Sequence, residues 1–180
     1  MLERWHRIGS RFIGDFKIFS MVSEDFRMPD GRTHSFFVLL SKDWVNVVPV
    51  TKDGKVVLIR QFRAGSNEVT IEVPGGMVDN ETPEEAALRE LEEETGYKAE
   101  KVIKTGVVKP NPAFIRNHCH MFLALGVTPT GTRHFDPSEF VETFEATFEE
   151  VEQMILDGRI DHSLVINTIF FAKRLRGVVW

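Results

Sequence analysis

Gly75-Gly76-Met77-Val78-Asp79-Asn80-Glu81, followed across Thr82 to Leu88 by Arg89-Glu90-Leu91-Glu92-Glu93-Glu94-Thr95-Gly96-Tyr97, is the stretch on which the reading of this chain turns. Thr82 offers an N-cap, Pro83 suits the first helical position, Glu85 completes a capping box and Gly96 offers a stop. Together they predict one helix between these signals. At about 100° per residue, Glu90 and Glu94 stand one turn apart with Glu93 beside them. Leu88 and Leu91 point to another side and can anchor the helix on a sheet. Three carboxylates on one arc repel one another unless a cation sits among them. Hard oxygen ligands of this kind suit Mg²⁺ or Mn²⁺, which bind through a few carboxylates plus phosphate oxygens. A Glu-rich stretch on a lone surface helix is ordinarily a solvated face, and that plain reading stands until the flanking residues are weighed.

Working outward, 44–50 and 55–62 are predicted strands joined at Asp53-Gly54, a hairpin dipeptide, and 69–73 is a short strand ending at Pro74-Gly75-Gly76. Downstream, 101–109 and 118–125 are predicted strands separated by Pro110-Asn111-Pro112. An alternating stretch over 142–148 leads into a helix that Gly158 would stop. The last helix spans about 161–176, with Leu164, Val165, Ile169, Ala172 and Leu175 at helical spacing. At the other end, Phe12, Phe16, Phe19 and Phe26 precede the turn signal Pro29-Asp30-Gly31-Arg32, and an apolar run over 34–40 follows. The chain thus reads as a strand-rich arm over 1–40 and a domain over 41–180. Strands mixed with three helices make the fold class α/β, a sandwich.

The 180 residues, 42% hydrophobic and 27% charged, are enough to build a real core. No apolar run approaches the roughly 20 residues that span a bilayer. The first seven residues lead into no apolar core of the signal-peptide kind, so no membrane contact and a cytoplasmic location are expected. The single cysteine, Cys119, excludes an intrachain disulfide and suits a reducing compartment. His118 and His120 alternate along a predicted strand with Cys119 facing the other way, too few converging groups for zinc. A net charge of −5 weighs against an electrostatic grip on nucleic acid.

The opening stretch resembles the Nudix box: Gly, five residues, Glu, seven residues, Arg-Glu, an apolar residue, any residue, Glu-Glu, any residue, Gly and an apolar residue. Here these are Gly75, Glu81, Arg89, Glu90, Leu91, Glu93, Glu94, Gly96 and Tyr97. Seven charged or glycine matches at fixed spacing arise by chance about once in 10⁸–10⁹ windows, which displaces the solvated-face reading. Many members place a small residue before the box glycine, which would make Gly76 the counterpart, but the loop to Glu81 is then one residue short. Both glycines stand as candidates. The segments over 57–63 and 71–75 look like those that precede the box in ADP-ribose pyrophosphatase-like members. Asn111-Pro112-Ala113-Phe114 before 118–124 resembles the loop and strand that follow it. Pro112 falls where the ADP-ribose-cleaving subfamily tends to carry a proline. Glu139-Phe140-Val141-Glu142 looks like the acidic loop that supplies a further catalytic carboxylate. The resemblance covers about 29–175.

That resemblance implies a Nudix α/β/α sandwich with a mixed sheet and a hydrolase dependent on Mg²⁺, or on Mn²⁺. The implied substrate is a small molecule, a nucleoside diphosphate linked to another group, with ADP-ribose or an ADP-sugar favoured. Bound metal would also offset the substrate's charge and the protein's own. By the same resemblance Glu90 and Glu94, with the Gly75 carbonyl, hold metal, and Glu93 is a further ligand or a base. Glu139 is the first choice for a loop-borne base and Glu142 the second, while Arg89 orients the box glutamates. Arg60, Arg63, Glu72 and Pro112 are expected to face substrate. Read alone, Arg60 and Arg63 are equally well strand-end surface charges, although arginine is the apt residue for gripping phosphate.

Resembling proteins form homodimers by exchanging N-terminal strands, so that each subunit helps complete its partner's site. Isolated short strands are marginal in water, and a two-fold dimer is the commonest closed assembly. Phe12, Phe16 and Phe19 are therefore expected in a buried arm. Two alternatives remain. One is a nucleotide-binding Nudix module without catalysis, which usually lacks a box carboxylate, whereas every one is present here. The other is a Nudix hydrolase of triphosphates or dinucleoside polyphosphates, against which the upstream segments and Pro112 lean.

Overall fold

The structure is a computed structural model and describes residues 3–130 and 140–179. Its elements in chain order are β1 (His6–Asp15), β2 (Phe19–Arg27), β3 (Thr33–Ser41), β4 (Trp44–Thr51), β5 (Val56–Arg63), β6 (Glu68–Glu72) and β7 (Gly75–Met77). After these come α1 (Pro83–Thr95), β8 (Tyr97–Lys98), β9 (Lys101–Val108), β10 (Ile115–Arg116), β11 (Cys119–Pro129), β12 (Val141–Ala146), α2 (Phe148–Leu156) and α3 (Ser163–Val179). No described helix is long and apolar enough to cross a membrane.

One compact unit comprises Met1–Asp43 with Lys109–His118. Its sheet runs β1-β2-β3-β10, antiparallel except that β10 lies parallel to β3. The Pro29-Asp30-Gly31-Arg32 signal makes the turn between β2 and β3. Gly31 takes φ +87°, where a side chain is disfavoured, and the Arg32 N–H donates to Asp30 Oδ1 at 3.0 Å. Phe36 packs edge-on against Phe26 at 5.8 Å and beside Trp5 at 6.0 Å. Other apolar side chains of this unit, Phe12, Phe16, Ile18 and Phe37, are exposed.

The second unit comprises Trp44–Val108 and Cys119–Trp180. Its mixed sheet is ordered β12-β5-β4-β11-β8, with β6 on β5, β7 on β4 and β9 on β11. The central pair β4–β11 is parallel, so both faces are buried and the strands read as near-continuous apolar runs. Alternation divides them between two cores. Val45, Val47, Val57, Phe122 and Ala124 pack under α1 with Ala86, Ala87 and Leu91. Val48, Val50, Leu58 and Leu123 pack with Phe148 and Val151 of α2 and Val165, Ile169 and Ala172 of α3. This is the expected α/β/α sandwich.

Leu88 departs from expectation. It is exposed, and Ala86, Ala87 and Leu91 seat the helix instead. Ala87 and Leu91 are one turn apart, and the small alanines allow a close approach that leaves Leu88 turned past the contact. The last helix starts two residues later and runs three further than the 161–176 read from spacing. Strands β7, β8 and β10 were not legible, because two or three residues carry no periodicity.

Candidate active site

Helix α1 is set by its own ends. Thr82 Oγ1 accepts from the Glu85 N–H, the Glu85 carboxylate accepts from the Thr82 N–H, and Gly96 closes the helix at φ +72°. With Leu91 buried, Glu90, Glu93 and Glu94 emerge on one side. Glu94 is 5% exposed, and its Oε2 accepts the Gly75 N–H at 2.9 Å.

Strand β7 pairs with β4 through Asn46↔Gly75 and Val45↔Gly76. This brings the glycines against their neighbours too closely for any side chain. A Cβ on Gly75 would lie 2.3 Å from the Val45 carbonyl oxygen and 2.4 Å from Asn46 Oδ1. A Cβ on Gly76 would lie 2.1 Å from Glu90 Oε1. Each glycine therefore makes room for a different polar group.

Arg89 is the hub. Its Nε and Nη2 donate to Glu81 Oε1 at 3.0 and 2.8 Å, and Nη1 donates to Glu90 Oε1 and Glu93 Oε2, both at 2.8 Å. Nη2 also reaches the Met77 carbonyl at 3.1 Å. A planar guanidinium has enough fixed donors for all of these, which a lysine does not. The Glu81 hydrogen bond, opposed by desolvation and helped by the charge of Glu90 and the hydrogen bonds to Glu93 and Glu90, raises the Arg89 pKa far above its ordinary value. It stays charged at every accessible pH.

Two further pairs lie on β5 and its neighbours. Arg63 grips Glu72 with Nε and Nη2, each at 2.7 Å, and Thr70 Oγ1 donates to the same carboxylate at 2.6 Å. Glu72 is 3% exposed. Burial pushes its pKa up, but the Arg63 and Thr70 hydrogen bonds and the charges of Arg63 and His162 outweigh burial and leave it below the usual range. Arg60 donates from Nη1 to Glu142 at 3.0 Å and lies over the Phe144 ring at 4.1 Å.

Of the expected site residues, Glu90, Glu93 and Arg89 are in direct contact, and Gly75 and Glu94 bond to each other. Arg63–Glu72 and Arg60–Glu142 form separate ion pairs. Pro112 belongs to the first unit, and Glu139 lies outside the described residues. Two contributors were missed. Glu81 takes two of the Arg89 hydrogen bonds, a role its place in the box could have signalled. Asn46 packs against Gly75 and donates to Thr168 Oγ1 at 3.3 Å, and its signal was a lone polar residue within Val45-Asn46-Val47-Val48.

Among the described residues no three His, Cys, Asp or Glu side chains converge as a ready cation site. Glu90 and Glu93 are turned onto Arg89, and Glu94 onto the Gly75 N–H. The donor set still fits a hard divalent cation. Its groups are all oxygen donors, and one guanidinium faces the three carboxylates of Glu81, Glu90 and Glu93, while Glu94 accepts the Gly75 N–H.

Comparison with known proteins agrees with this geometry. The NUDIX domain model matches residues 22–167. An ADP-ribose pyrophosphatase of Bacillus subtilis is 35% identical over 141 residues, covering 77% of this chain and 76% of that protein. A methanol dehydrogenase activator of Bacillus methanolicus is 30% identical over 159 residues, covering 87% and 86%. A solved ADP compounds hydrolase matches at a TM-score of 0.88 over 99% of this chain and 98% of that one, and at 19% identity it shows the fold alone. Nudix hydrolases generally use a divalent metal. The carboxylate helix, its glycine strap and the matched domain together show that this chain belongs to the Nudix family, as a Nudix hydrolase.

Proposed function

We propose that the chain hydrolyses the pyrophosphate bond of a nucleoside diphosphate linked to another group, with ADP-ribose or an ADP-sugar as preferred substrate and Mg²⁺, or Mn²⁺, as cofactor. The observation that carries the reading is the gathering of Glu81, Glu90 and Glu93 on Arg89 beside Glu94 and the two glycines. The likeness to the B. subtilis ADP-ribose pyrophosphatase supports the substrate class. Glu90 and Glu94, with the Gly75 carbonyl, would hold the metal, which supplies positive charge to the phosphate oxygens. Arg89 keeps the rotamers of Glu90 and Glu93 fixed, as groups behind metal ligands do elsewhere. Water attacks one phosphorus and the bridging oxygen leaves with the other phosphate, giving AMP and ribose 5-phosphate from ADP-ribose. Glu139 is the first choice for the base that takes the water's proton, with Glu142 and Glu93 next. Arg60, Arg63, Glu72 and Pro112 contribute to substrate binding, Glu72 by holding the Arg63 guanidinium in one plane.

A screen of ADP-ribose, ADP-sugars, dinucleoside polyphosphates and nucleoside triphosphates with either metal tests this reading. The highest kcat/KM is expected on ADP-ribose or an ADP-sugar. Preference for a triphosphate or a dinucleotide would leave only the hydrolase assignment standing.

The assembly belongs to the same reading. Phe12 at 64%, Phe16 at 50%, Ile18 at 62% and Phe37 at 62% exposure support a homodimer through the arm, since a soluble chain seldom leaves so many large apolar side chains in water. Sedimentation of the intact chain should give a dimer, and a stable monomer would refute this.

A further inference from the structure

Glu24 on β2 is 1% exposed, and two guanidinium groups converge on it. Arg116 donates from Nη1 to Oε1 at 3.0 Å and from Nη2 to Oε2 at 2.5 Å, and Arg7 donates from Nη1 to Oε1 at 2.7 Å. The Arg116 hydrogen bond, against desolvation and with help from Arg7, holds the Glu24 carboxyl below its usual pKa, so the acid is ionised and anchors both arginines. The bidentate grip fixes the plane of Arg116.

Neither guanidinium is used up. Arg7 and Arg116 are about half exposed, at 53% and 49% of their side chains. With Arg4 and Phe26 they line a cavity of about 520 Å³ in which Glu24 is the one acidic wall residue. Arg4 pairs with no acid among the described residues. A second cavity of about 510 Å³ shares Arg4, Phe26 and Arg116 and adds Lys109 and His118 without any carboxylate. In a chain whose net charge is −5, this is a local excess of cations held beside an apolar wall. Such a wall lowers the local dielectric and strengthens the field at the cavity. Three guanidinium groups against one carboxylate leave a formal charge of about two units, and the partner that matches it is a dianion.

We propose that this cavity is a phosphate site, taking the dianionic group of a phosphate monoester or of inorganic phosphate on Arg4, Arg7 and Arg116. Tetrahedral phosphate offers several oxygens to donors arriving from different sides, whereas a carboxylate fills one arginine fork. Glu24 sets Arg7 and Arg116 before the ligand arrives, which reduces the ordering cost of binding. All of these residues belong to the first unit, and the proposal is independent of which substrate the carboxylate helix hydrolyses.

The test uses the full chain in EDTA, at an ionic strength held constant with chloride, titrated with inorganic phosphate and with ribose 5-phosphate. Binding is read from the arginine Nε–H and backbone amide signals in ¹H–¹⁵N spectra. Saturable shifts are expected at Arg4, Arg7 and Arg116. Arg4→Ala and Arg7→Ala should each weaken apparent affinity by about tenfold, the loss of one charge-assisted contact. Both variants leave Arg116 on Glu24, so the fold is retained. Arg32→Ala removes one charge from the same unit away from the cavity and should change affinity less than twofold, by rough expectation. Tighter binding of ribose 5-phosphate would assign the monoester as ligand, and equal or tighter binding of inorganic phosphate would assign the free anion. Non-saturating shifts, or equal weakening by Arg32→Ala and Arg4→Ala, would overturn the site.

Discussion

Alanine at Gly76 should remove most of the activity, and alanine at Gly75 should first remove stability, although the two positions are adjacent. Ordinary carbon contacts lie at about 3.5–4.0 Å. The Gly76 Cβ would sit 2.1 Å from Glu90 Oε1 and 2.4 Å from its Cδ, so that carboxylate must move by more than about 1 Å. Glu90 can swing outward, because its side chain is 14% exposed and the obstacle is the end of a flexible chain. The cost is an off-rotamer side chain and a weakened Arg89 contact, about 1–2 kcal/mol. If Glu90 is a metal ligand, its displacement should lower kcat by about 10²–10³. At Gly75 the obstacle is the Val45 carbonyl at 2.3 Å, with Asn46 Oδ1 at 2.4 Å and Asn46 Cα at 3.2 Å. Val45 is fully buried in the sheet, so backbone must shift and the β4–β7 pairs are lost. Overpacking costs about 1–3 kcal/mol, and losing the Gly75 N–H bond to Glu94 adds about 1.5–3 kcal/mol. For a chain of this size each kcal/mol lowers Tm by about 2–4 °C, so Gly75→Ala should melt roughly 5–20 °C early and Gly76→Ala only about 2–8 °C early. Thermal unfolding followed by circular dichroism, alongside steady-state kcat, separates the two. Equal loss of Tm, or a Gly76→Ala variant within twofold of the parent rate, would refute the reasoning.

Glu90→Gln and Glu94→Gln should each lower kcat by about 10²–10³ at unchanged fold, and near-parental rates in both would remove α1 as the metal site. Arg89→Lys keeps the charge but loses the fork to Glu81, Glu90 and Glu93, so Mn²⁺ affinity by calorimetry should fall about 10–100-fold, and an unchanged isotherm would count against its positioning role. Glu72 has a folded pKa below its unfolded value near 4.5, so its ion pair stabilises fully above that value and is lost as pH falls through the folded pKa. Glu72→Gln should flatten the fall of Tm below about pH 4.5, and a Tm profile parallel to the parent's would contradict this.

The helix was legible because every signal that defines it is local. Thr82, Pro83, Glu85 and Gly96 act within their own turn, and the 3.6-residue period alone puts Glu90, Glu93 and Glu94 together. The turn between β2 and β3 was legible too, where Gly31 takes a left-handed conformation. What escaped depends on register between distant segments. That Asn46 meets Gly75 follows from the antiparallel pairing of β4 with a strand of three residues, which no periodicity announces. That Arg63 engages Glu72 is no cross-strand pairing: the β5–β6 register sets Arg63 opposite Glu68 and Ile59 opposite Glu72, and the long arginine side chain spans the offset. Leu88 misled because an apolar residue near the inward arc was counted as an anchor, while the close contact is made by alanines.

The adjacent glycines also explain why box spacing alone could not choose between them. Neighbouring residues of an extended strand rise by about 3.3 Å, while Glu90 and Glu94 are separated by one helical turn of about 5.4 Å. A strap of two small residues passing the helix can therefore meet both glutamates, one from each position. Gly75 does so with its N–H, which Glu94 accepts, and Gly76 with the volume its missing side chain leaves for Glu90. The first contribution needs a backbone donor that any residue except proline has, but β4 lies too close for a side chain. The second needs no donor at all. A small residue at both positions is thus required for two unrelated reasons. Counting from Gly75 or from Gly76 to Glu81 describes one structure from its two contacts with α1.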